Sequence, residues 1–215
     1  LVLPVFVSVH SIVSWDFAVL IGVEGWHSTI FAPYFIIGAI HSGVSAVAML
    51  MALSVWLWGL DKYLRPDHFD AIARLLIVVA VTWFFFFFLE WVFALYTLES
   101  VELSLRELQV FQWPYAMLFM IFLATAFFIP VPMWMFKSVR RSAFWMFFTT
   151  VLVNIGMWLE RFLIIIPGLL RRQPFTFDWG TYHPSFVEII IVAETFAFVA
   201  LGMLLFSKFF PLIPI

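Results

Sequence analysis

The chain has 215 residues, of which 65% are hydrophobic and 11% are charged, and its formal net charge is -2. A typical soluble domain is about one quarter charged, so a soluble fold of this length has no way to bury so much apolar surface. The bilayer must therefore act as the solvent. The near-neutral charge provides no surface for nucleic acid. The absence of cysteine excludes disulfides, thiolate-bound zinc and iron–sulfur ligation by this chain.

Six apolar stretches are each long enough to cross a bilayer, which takes about 20 mostly apolar residues per helix. The predicted fold class is an all-α membrane protein with about six transmembrane helices in four-helix-bundle-type packing, forming a single domain over residues 1–215. The predicted helices cover Leu3–Ile21, Thr29–Leu60, Phe69–Tyr96, Pro114–Phe136, Phe144–Leu170 and Ser185–Lys208.

Short polar segments separate these helices, and several residues indicate how the helices pack. Gly38 and Ser42 form a small-xxx-small pair that favours close helix approach, and Pro130 and Pro132 predict a kink in the fourth helix. The run Phe84–Phe88 is interpreted as lipid contact plus core packing. The connections are a break at Gly22–Gly25, a polar loop at Asp61–Asp67, an acidic loop at Glu99–Gln109, a basic link at Lys137–Arg141, a long loop at Arg171–His183 and a tail at Pro211–Pro214.

The distribution of Lys and Arg predicts the orientation, because cytoplasmic loops are enriched in both. One predicted side carries Lys62, Arg65, Arg74, Lys137, Arg140, Arg141 and Lys208, and the other carries Arg106, Arg171 and Arg172. The first side is therefore predicted to be cytoplasmic, and the loops after helices one, three and five periplasmic. The chain begins at Leu1 without a basic leader, so the first helix does not resemble a signal peptide, and we expect the chain to be part of a longer polypeptide.

Ionisable residues at membrane depth are costly and need a partner or a function. Trp83, Glu90 and Thr97 lie at seven-residue steps, so this stripe is predicted to face the bundle. Glu160 and Arg161 are neighbours in sequence whose side chains point about 100° apart around the helix. Each of them could have a functional role, or could instead form a structural ion pair with a residue of another helix. The candidates are His10, Asp16, His41, Glu90, Glu160, Arg161, Glu188 and Glu194.

Two collective hypotheses follow from these residues. Buried carboxyls gain and lose protons near neutral pH, so the acids with His10 and His41 are consistent with a proton path or with a quinol site that needs proton acceptors. A haem is the rival use of the histidines, but it requires two of them facing each other at similar depth. We expect neither haem nor metal to be bound by this chain.

Three stretches together resemble the NrfD/PsrC-like family of quinol-interacting membrane subunits. They are Val9–Phe17 (VHSIVSWDF), Gly25–Gly43 (GWHSTIFAPYFIIGAIHSG) and Gly156–Ile166 (GMWLERFLIII). Within the family, the sequence is similar to the two large membrane subunits of bacterial alternative complex III, ActC and ActF. The resemblance implies eight to ten helices in two four-helix bundles, so we expect the chain to represent the C-terminal part of such a subunit.

The resemblance also implies a role in menaquinol oxidation in the bacterial inner membrane. Asp16 and His10 would serve the quinol site. A proton path would be formed by His41, Glu90, Glu160, Arg161 and Glu194. The interface with a periplasmic iron–sulfur subunit would include Trp26 and His27. Further implied partners are a second NrfD-like subunit, haem c subunits and lipid. The alternatives are a proton-translocating or scaffolding subunit without its own quinol site, and a secondary transporter, although the sequence has no convincing internal repeat.

Overall fold

A computed structural model of the chain describes residues 2–23, 25–170, 182 and 184–209. These residues contain helices and no strand, and six helical spans are long and apolar enough to cross a membrane. The prediction of an all-α membrane protein with six spans is therefore confirmed. The α-helices of the described residues are α1 (Val2–Trp15), α2 (Phe31–Trp58), α3 (Pro66–Thr97), α4 (Ser100–Phe111), α5 (Tyr115–Leu123), α6 (Pro130–Met135), α7 (Lys137–Arg140), α8 (Ala143–Leu170) and α9 (Phe186–Phe209).

The described residues divide into two compact units, one through α8 and one that contains α9. In the first unit, α2 packs against α1, α3 and α8. Gly38 allows the close approach of these helices, because a Cβ atom there would lie 2.8 Å from Arg161 Nη2 and 3.4 Å from Trp83 Cδ1. This confirms the predicted packing role of Gly38. The first span ends as a π-helix, Asp16–Ile21, closed by Gly22 at a φ of 51°.

The fourth span is interrupted at the predicted position. A π-helical stretch, Ala124–Phe128, separates α5 from α6, and Pro130 follows it after one residue, Ile129. Proline lacks an N–H group and its ring crowds the preceding turn, which explains why the regular hydrogen-bond ladder is lost here. Gly156 of α8 fits against this irregular turn, since a Cβ atom there would lie only 2.6 Å from the backbone nitrogen of Ala126.

The acidic segment Glu99–Gln109 is not a loop, and this prediction was wrong. Ser100–Phe111 forms the α-helix α4, which packs against α3, α5 and α8. The helix is amphipathic: Leu105 and Leu108 are buried on the same face as Glu102 and Arg106. The charged residues suggested a solvated loop, but ion pairing and apolar packing on one face stabilise a helix.

Aromatic packing fills the core of the first unit. Trp83 is fully buried and lies edge-on to Phe122, with ring centroids 5.8 Å apart. Phe84 stacks on Phe127 at 4.2 Å, whereas Phe85 and Phe88 are exposed. The Phe84–Phe88 run therefore divides between core packing and an outward, lipid-facing surface, as predicted.

Ion pairs join the ends of α3 and α7, at what we call the basic end of the first unit. Asp70 is buried and accepts hydrogen bonds from Arg74 and from Arg140 Nε, the latter at 2.7 Å. Arg141 Nη1 lies 2.6 Å from Asp67 Oδ1. These pairs gather residues that the charge pattern assigned to one side of the membrane; the orientation itself stays a prediction.

The second unit contains α9, an apolar helix whose described residues are all at least partly exposed. Glu188 accepts a hydrogen bond from the Ser185 backbone N–H at 2.7 Å and another from the Tyr182 hydroxyl at 3.1 Å. The Ser185 hydroxyl accepts the Glu188 N–H in return, so Glu188 belongs to a capping box. The predicted loop residues Arg171, Arg172 and His183 and the tail Pro211–Pro214 lie outside the described residues.

Candidate functional site

A cleft of about 230 Å³ lies at the end of the first unit opposite the basic end, which we call the α4 end. It is formed by the turn before α2, the end of α3 and the start of α4. His27, Ser28, Thr97 and Glu99 contribute to its walls, and Glu90 contributes a buried carboxylate. The cleft therefore connects an accessible surface with an acid placed one and a half to two turns inside α3.

Glu90 is held by two neighbours from different helices and loops. The Ser28 hydroxyl donates a hydrogen bond of 2.6 Å to Glu90 Oε2. Arg106 Nη2 lies 3.8 Å from Glu90 Oε1, and the two side chains are only 8% and 7% exposed. A carboxylate so enclosed needs such partners, because an unpaired buried charge is strongly destabilising.

Arg106 organises the polar groups of the α4 end. Its guanidinium donates a 2.8 Å hydrogen bond to Glu102 Oε1 and lies 5.0 Å from the centre of the Trp91 ring. Its Nη1 lies 3.4 Å from Gln109 Oε1, and the Gln109 amide donates to the Leu163 carbonyl oxygen of α8 at 2.8 Å. Arg106 thus links α4 to both α3 and α8.

A second, smaller cavity of about 20 Å³ lies deeper in the unit. Its lining includes Tyr34, Glu90, Arg106 and Glu160. A cavity of this size holds about one water molecule. Glu90 lines both the outer cleft and this inner cavity, so it stands between the surface and Glu160.

Glu160 is buried and shares its hydrogen bonds with two aromatic side chains. Its Oε1 accepts from the Tyr34 hydroxyl and from Trp83 Nε1, the latter at 2.9 Å. Its Oε2 lies 3.4 Å from Arg161 Nη1, so the two sequence neighbours form an ion pair with each other. The Arg161 guanidinium also lies 4.2 Å from the centre of the Phe35 ring.

The acids and bases of the α4 end are unequal in number. Glu90, Glu99 and Glu102 supply three carboxylates to the neighbourhood of the cleft, against the single guanidinium of Arg106 among the described lining residues and their partners. His27 Nε2 lies 3.6 Å from Glu99 Oε2 and 3.7 Å from Glu102 Oε2. With a neutral His27, these described side chains together carry a net negative charge.

The other predicted site residues lie apart from the two cavities. His10 Nδ1 donates a hydrogen bond to the Phe6 carbonyl oxygen, 3.1 Å away, and Asp16 is exposed at the start of the π-helical stretch. His41 is fully buried, with its ring 5.7 Å from that of Trp83, and neither ring nitrogen has a hydrogen-bond partner among the described residues. Glu194 is exposed on α9 of the second unit.

The predicted partner-facing turn divides between the core and the surface. The Trp26 side chain is packed in the core with the residue only 7% exposed. The His27 side chain is 35% exposed. Of these two residues, only His27 is therefore available to a partner at this surface.

The family model described as polysulphide reductase, NrfD, matches residues 1–172. The chain belongs to the NrfD family. The match includes α1 to α8 and every residue named in the two cavities, whereas α9 lies beyond it. A comparison with curated proteins found no match.

Membership in the NrfD family indicates a multi-pass membrane subunit of a quinol oxidoreductase-type complex, a class whose members associate with iron–sulfur and other membrane subunits. The resemblance to the NrfD/PsrC-like family, predicted from three sequence stretches, is therefore confirmed at the level of the family. The narrower similarity to the subunits of alternative complex III stays a prediction.

Several residues of the candidate site were missed by the sequence analysis. Arg106, Glu99 and Glu102 were assigned to a loop, and Ser28 and Tyr34 were not connected with any acid. The available signal was local: Glu102 and Arg106 are four residues apart, and Val101, Leu105 and Leu108 follow helical spacing. The contacts of Ser28 and Tyr34 had no comparable signal, because their partners are 62 and 126 residues away.

Proposed function

We propose that this chain is the membrane subunit of a quinol oxidoreductase complex that contributes to menaquinol binding and carries the released protons, while the electrons pass to an iron–sulfur partner subunit. The observation that supports this proposal best is the placement of Glu90. It is a buried carboxylate that lines both the outer cleft and the inner cavity. Family membership supports the same class of function.

Oxidation of a quinol requires one set of acceptors for protons and another for electrons. Oxidation of a quinol to a quinone breaks two O–H bonds and releases two protons and two electrons. The chain has no cysteine to hold an iron–sulfur cluster, so the electrons would leave through the partner. The protons would pass to carboxylates of this chain, first to Glu90, whose Oε2 already accepts a hydrogen bond from Ser28.

The size of the cleft bears on how a quinol would bind. Its volume of about 230 Å³ is below the roughly 300–1,000 Å³ of common ligand pockets. A quinol would therefore place only its ring in the cleft and leave its isoprenoid tail in lipid. Asp16 and His10 on the first span do not line this cleft, and they stay proposed contributors to quinol oxidation from a separate position.

The test is quinol oxidation by the intact complex. Glu90→Gln and Asp16→Asn each remove one proton acceptor with little change in shape. Loss of a general base lowers rates by about 10²–10⁴-fold, and we expect a fall of this order in kcat. Glu107→Gln, an exposed acid of α4, is the matched control and should leave the rate unchanged. Unaltered kcat and KM in both acceptor variants would refute the assignment.

A second candidate is a proton-transferring subunit of the same complex without its own quinol site. The deep groups favour it: both ring nitrogens of His41 lack partners among the described residues, and a redox or catalytic role is one explanation for a buried polar group without a partner. Glu160 and Arg161 would extend the path. Secondary transport gains no support from the described residues.

Filling the cleft distinguishes the two candidates. Thr97→Trp introduces a large ring at an exposed residue that lines the cleft. If quinol binds there, KM for quinol should rise at least tenfold. Tyr96→Trp is the control, because Tyr96 is 81% exposed and does not line the cleft. An unchanged KM in Thr97→Trp, with Glu90→Gln still slow, would favour the second candidate.

A further inference from the structure

We infer that His27, Glu99 and Glu102 form a binding site for a divalent transition metal, of which Zn²⁺ is the best example, at the mouth of the cleft. Each residue offers one ligand atom, His27 Nε2, Glu99 Oε2 or Glu102 Oε2, and these three atoms all lie within 4.8 Å of one another. They come from the turn before α2 and from the start of α4, two segments that are far apart in sequence.

The two distances from His27 are close to those of a tetrahedral ion. Zinc bonds to nitrogen and to carboxylate oxygen are about 2.0–2.2 Å long, which places neighbouring tetrahedral ligands about 3.3–3.5 Å apart. Nε2 of His27 lies 3.6 Å from Glu99 Oε2 and 3.7 Å from Glu102 Oε2. Small side-chain rotations therefore complete the site, because Glu99 is 52% exposed and free to adjust.

The least mobile ligand is already oriented. The Glu102 side chain is 8% exposed, and its Oε1 accepts a 2.8 Å hydrogen bond from Arg106. This bond leaves Oε2 directed toward His27. Partners of this kind around a metal site fix the ligand geometry and commonly change metal affinity by about 10–100-fold.

The charge and the type of ligand favour a cation, and a particular class of cation. Among the described residues of this region, three carboxylates, Glu90, Glu99 and Glu102, face one guanidinium, that of Arg106. The excess negative charge is offset by a bound dication. Imidazole nitrogen selects Zn²⁺ and other transition metals over Mg²⁺ and Ca²⁺, which prefer oxygen ligands. Three protein ligands leave a fourth position for water or a fourth ligand.

A metal at this position would also obstruct the cleft. His27, Glu99 and Glu102 line the same cavity as Glu90, and a dication beside Glu90 would oppose the arrival and exit of protons. This inhibitory effect rests on the proposed function, whereas the binding of the metal does not.

Metal binding is measured first, on the full-length protein purified with the subunits that accompany it. Zn²⁺ is titrated by calorimetry at fixed pH, and Co²⁺ is used as a spectroscopic probe because its visible absorption reports tetrahedral coordination. We expect one site in the native protein. His27→Gln and Glu99→Gln should each weaken Zn²⁺ binding at least tenfold and abolish the Co²⁺ spectrum. The control Glu107→Gln on the exposed face of α4 should match the native protein.

The rival interpretation is that His27 binds the two carboxylates only as a protonated imidazolium. In that case Zn²⁺ affinity is the same in the native protein, in His27→Gln and in Glu107→Gln, and the metal site is refuted. Turnover is then measured with and without Zn²⁺. Inhibition that is lost in His27→Gln supports both the site and the proton route. Binding without inhibition confirms the site and overturns its proposed link to proton release.

Discussion

Replacing Arg106 by glutamine is the most informative test of the polar cluster at the α4 end. The substitution keeps a polar side chain at this position but removes the guanidinium and its charge. It leaves Glu90 and Glu102, which are 7% and 8% exposed, as two enclosed carboxylates without their shared cation. We expect a large loss of stability, because an uncompensated buried charge costs more than a missing contact.

The distances set the magnitude. At an effective dielectric constant near 20, two opposite charges attract by about 6 kcal/mol at 2.8 Å and by about 4 kcal/mol at 3.8 Å, the Arg106 distances to Glu102 and Glu90. The native protein loses most of this attraction to the desolvation of Arg106. Breaking a buried pair at one partner costs about 3–5 kcal/mol net, and we expect Arg106→Gln to lower the free energy of unfolding by that amount.

The assay is reversible denaturant unfolding in detergent, followed by tryptophan fluorescence. Trp91 lies 5.0 Å from the Arg106 guanidinium, so it also reports local change. The double variant Glu102→Gln/Arg106→Gln removes one stranded carboxylate and should recover at least 1 kcal/mol relative to Arg106→Gln. Glu107→Gln, on the exposed side of the same helix, should stay within about 0.5 kcal/mol of the native protein.

Two results would refute this reasoning. A loss below 1 kcal/mol for Arg106→Gln would mean that water already reaches the cluster. A double variant that is as unstable as Arg106→Gln would mean that the charge of Glu102 is not the cause.

Two further predictions use the same unfolding measurement at other places in the first unit. Gly156→Ala should destabilise the protein by about 1–3 kcal/mol, because its Cβ would lie 2.6 Å from the rigid backbone nitrogen of Ala126. Gly43→Ala is its matched control, because no atom of a neighbouring element lies within 4 Å of the added Cβ. Alanine should therefore stabilise this helix by up to about 1 kcal/mol. Equal losses of stability at both sites would contradict the packing argument. Arg140→Gln should cost about 1.5–3 kcal/mol, since it removes a charged 2.7 Å hydrogen bond from buried Asp70; an unchanged midpoint would show that this pair does not stabilise the fold.

The sequence was sufficient to predict the transmembrane spans, because a bilayer imposes a minimum apolar length on every helix. Pro130 likewise marks a backbone position where regular hydrogen bonding fails, and the π-helical stretch Ala124–Phe128 ends two residues before it. Such features depend on the local chain alone. The helix α4 was missed although its spacing was helical, because the density of charge suggested solvent exposure.

The candidate site was less predictable than the fold. Glu90 was recognised as a buried acid, but the position of Ser28 beside it depends on how the turn before α2 folds over the end of α3. The pairing of Glu160 with both Tyr34 and Trp83 depends on which helices are neighbours. Apolar periodicity contains no information on neighbours in a bundle where nearly every helix is apolar on all sides, so a single sequence does not determine these contacts.

Under the proposed function, the balance of charge at the two ends of the first unit bears on the direction of proton release. At the basic end, Asp70 accepts from both Arg74 and Arg140, so its charge is neutralised within a closed set of ion pairs. Among the described residues of the α4 end, carboxylates outnumber guanidinium groups and border a cleft that reaches Glu90. A proton that leaves Glu90 there enters a region of negative potential, which favours its movement outward.

The same excess of negative charge attracts a dication to His27. Salt should therefore weaken the initial attraction of Zn²⁺ by screening while leaving the coordination bonds intact. Zn²⁺ association should therefore slow with ionic strength, while its dissociation rate stays constant.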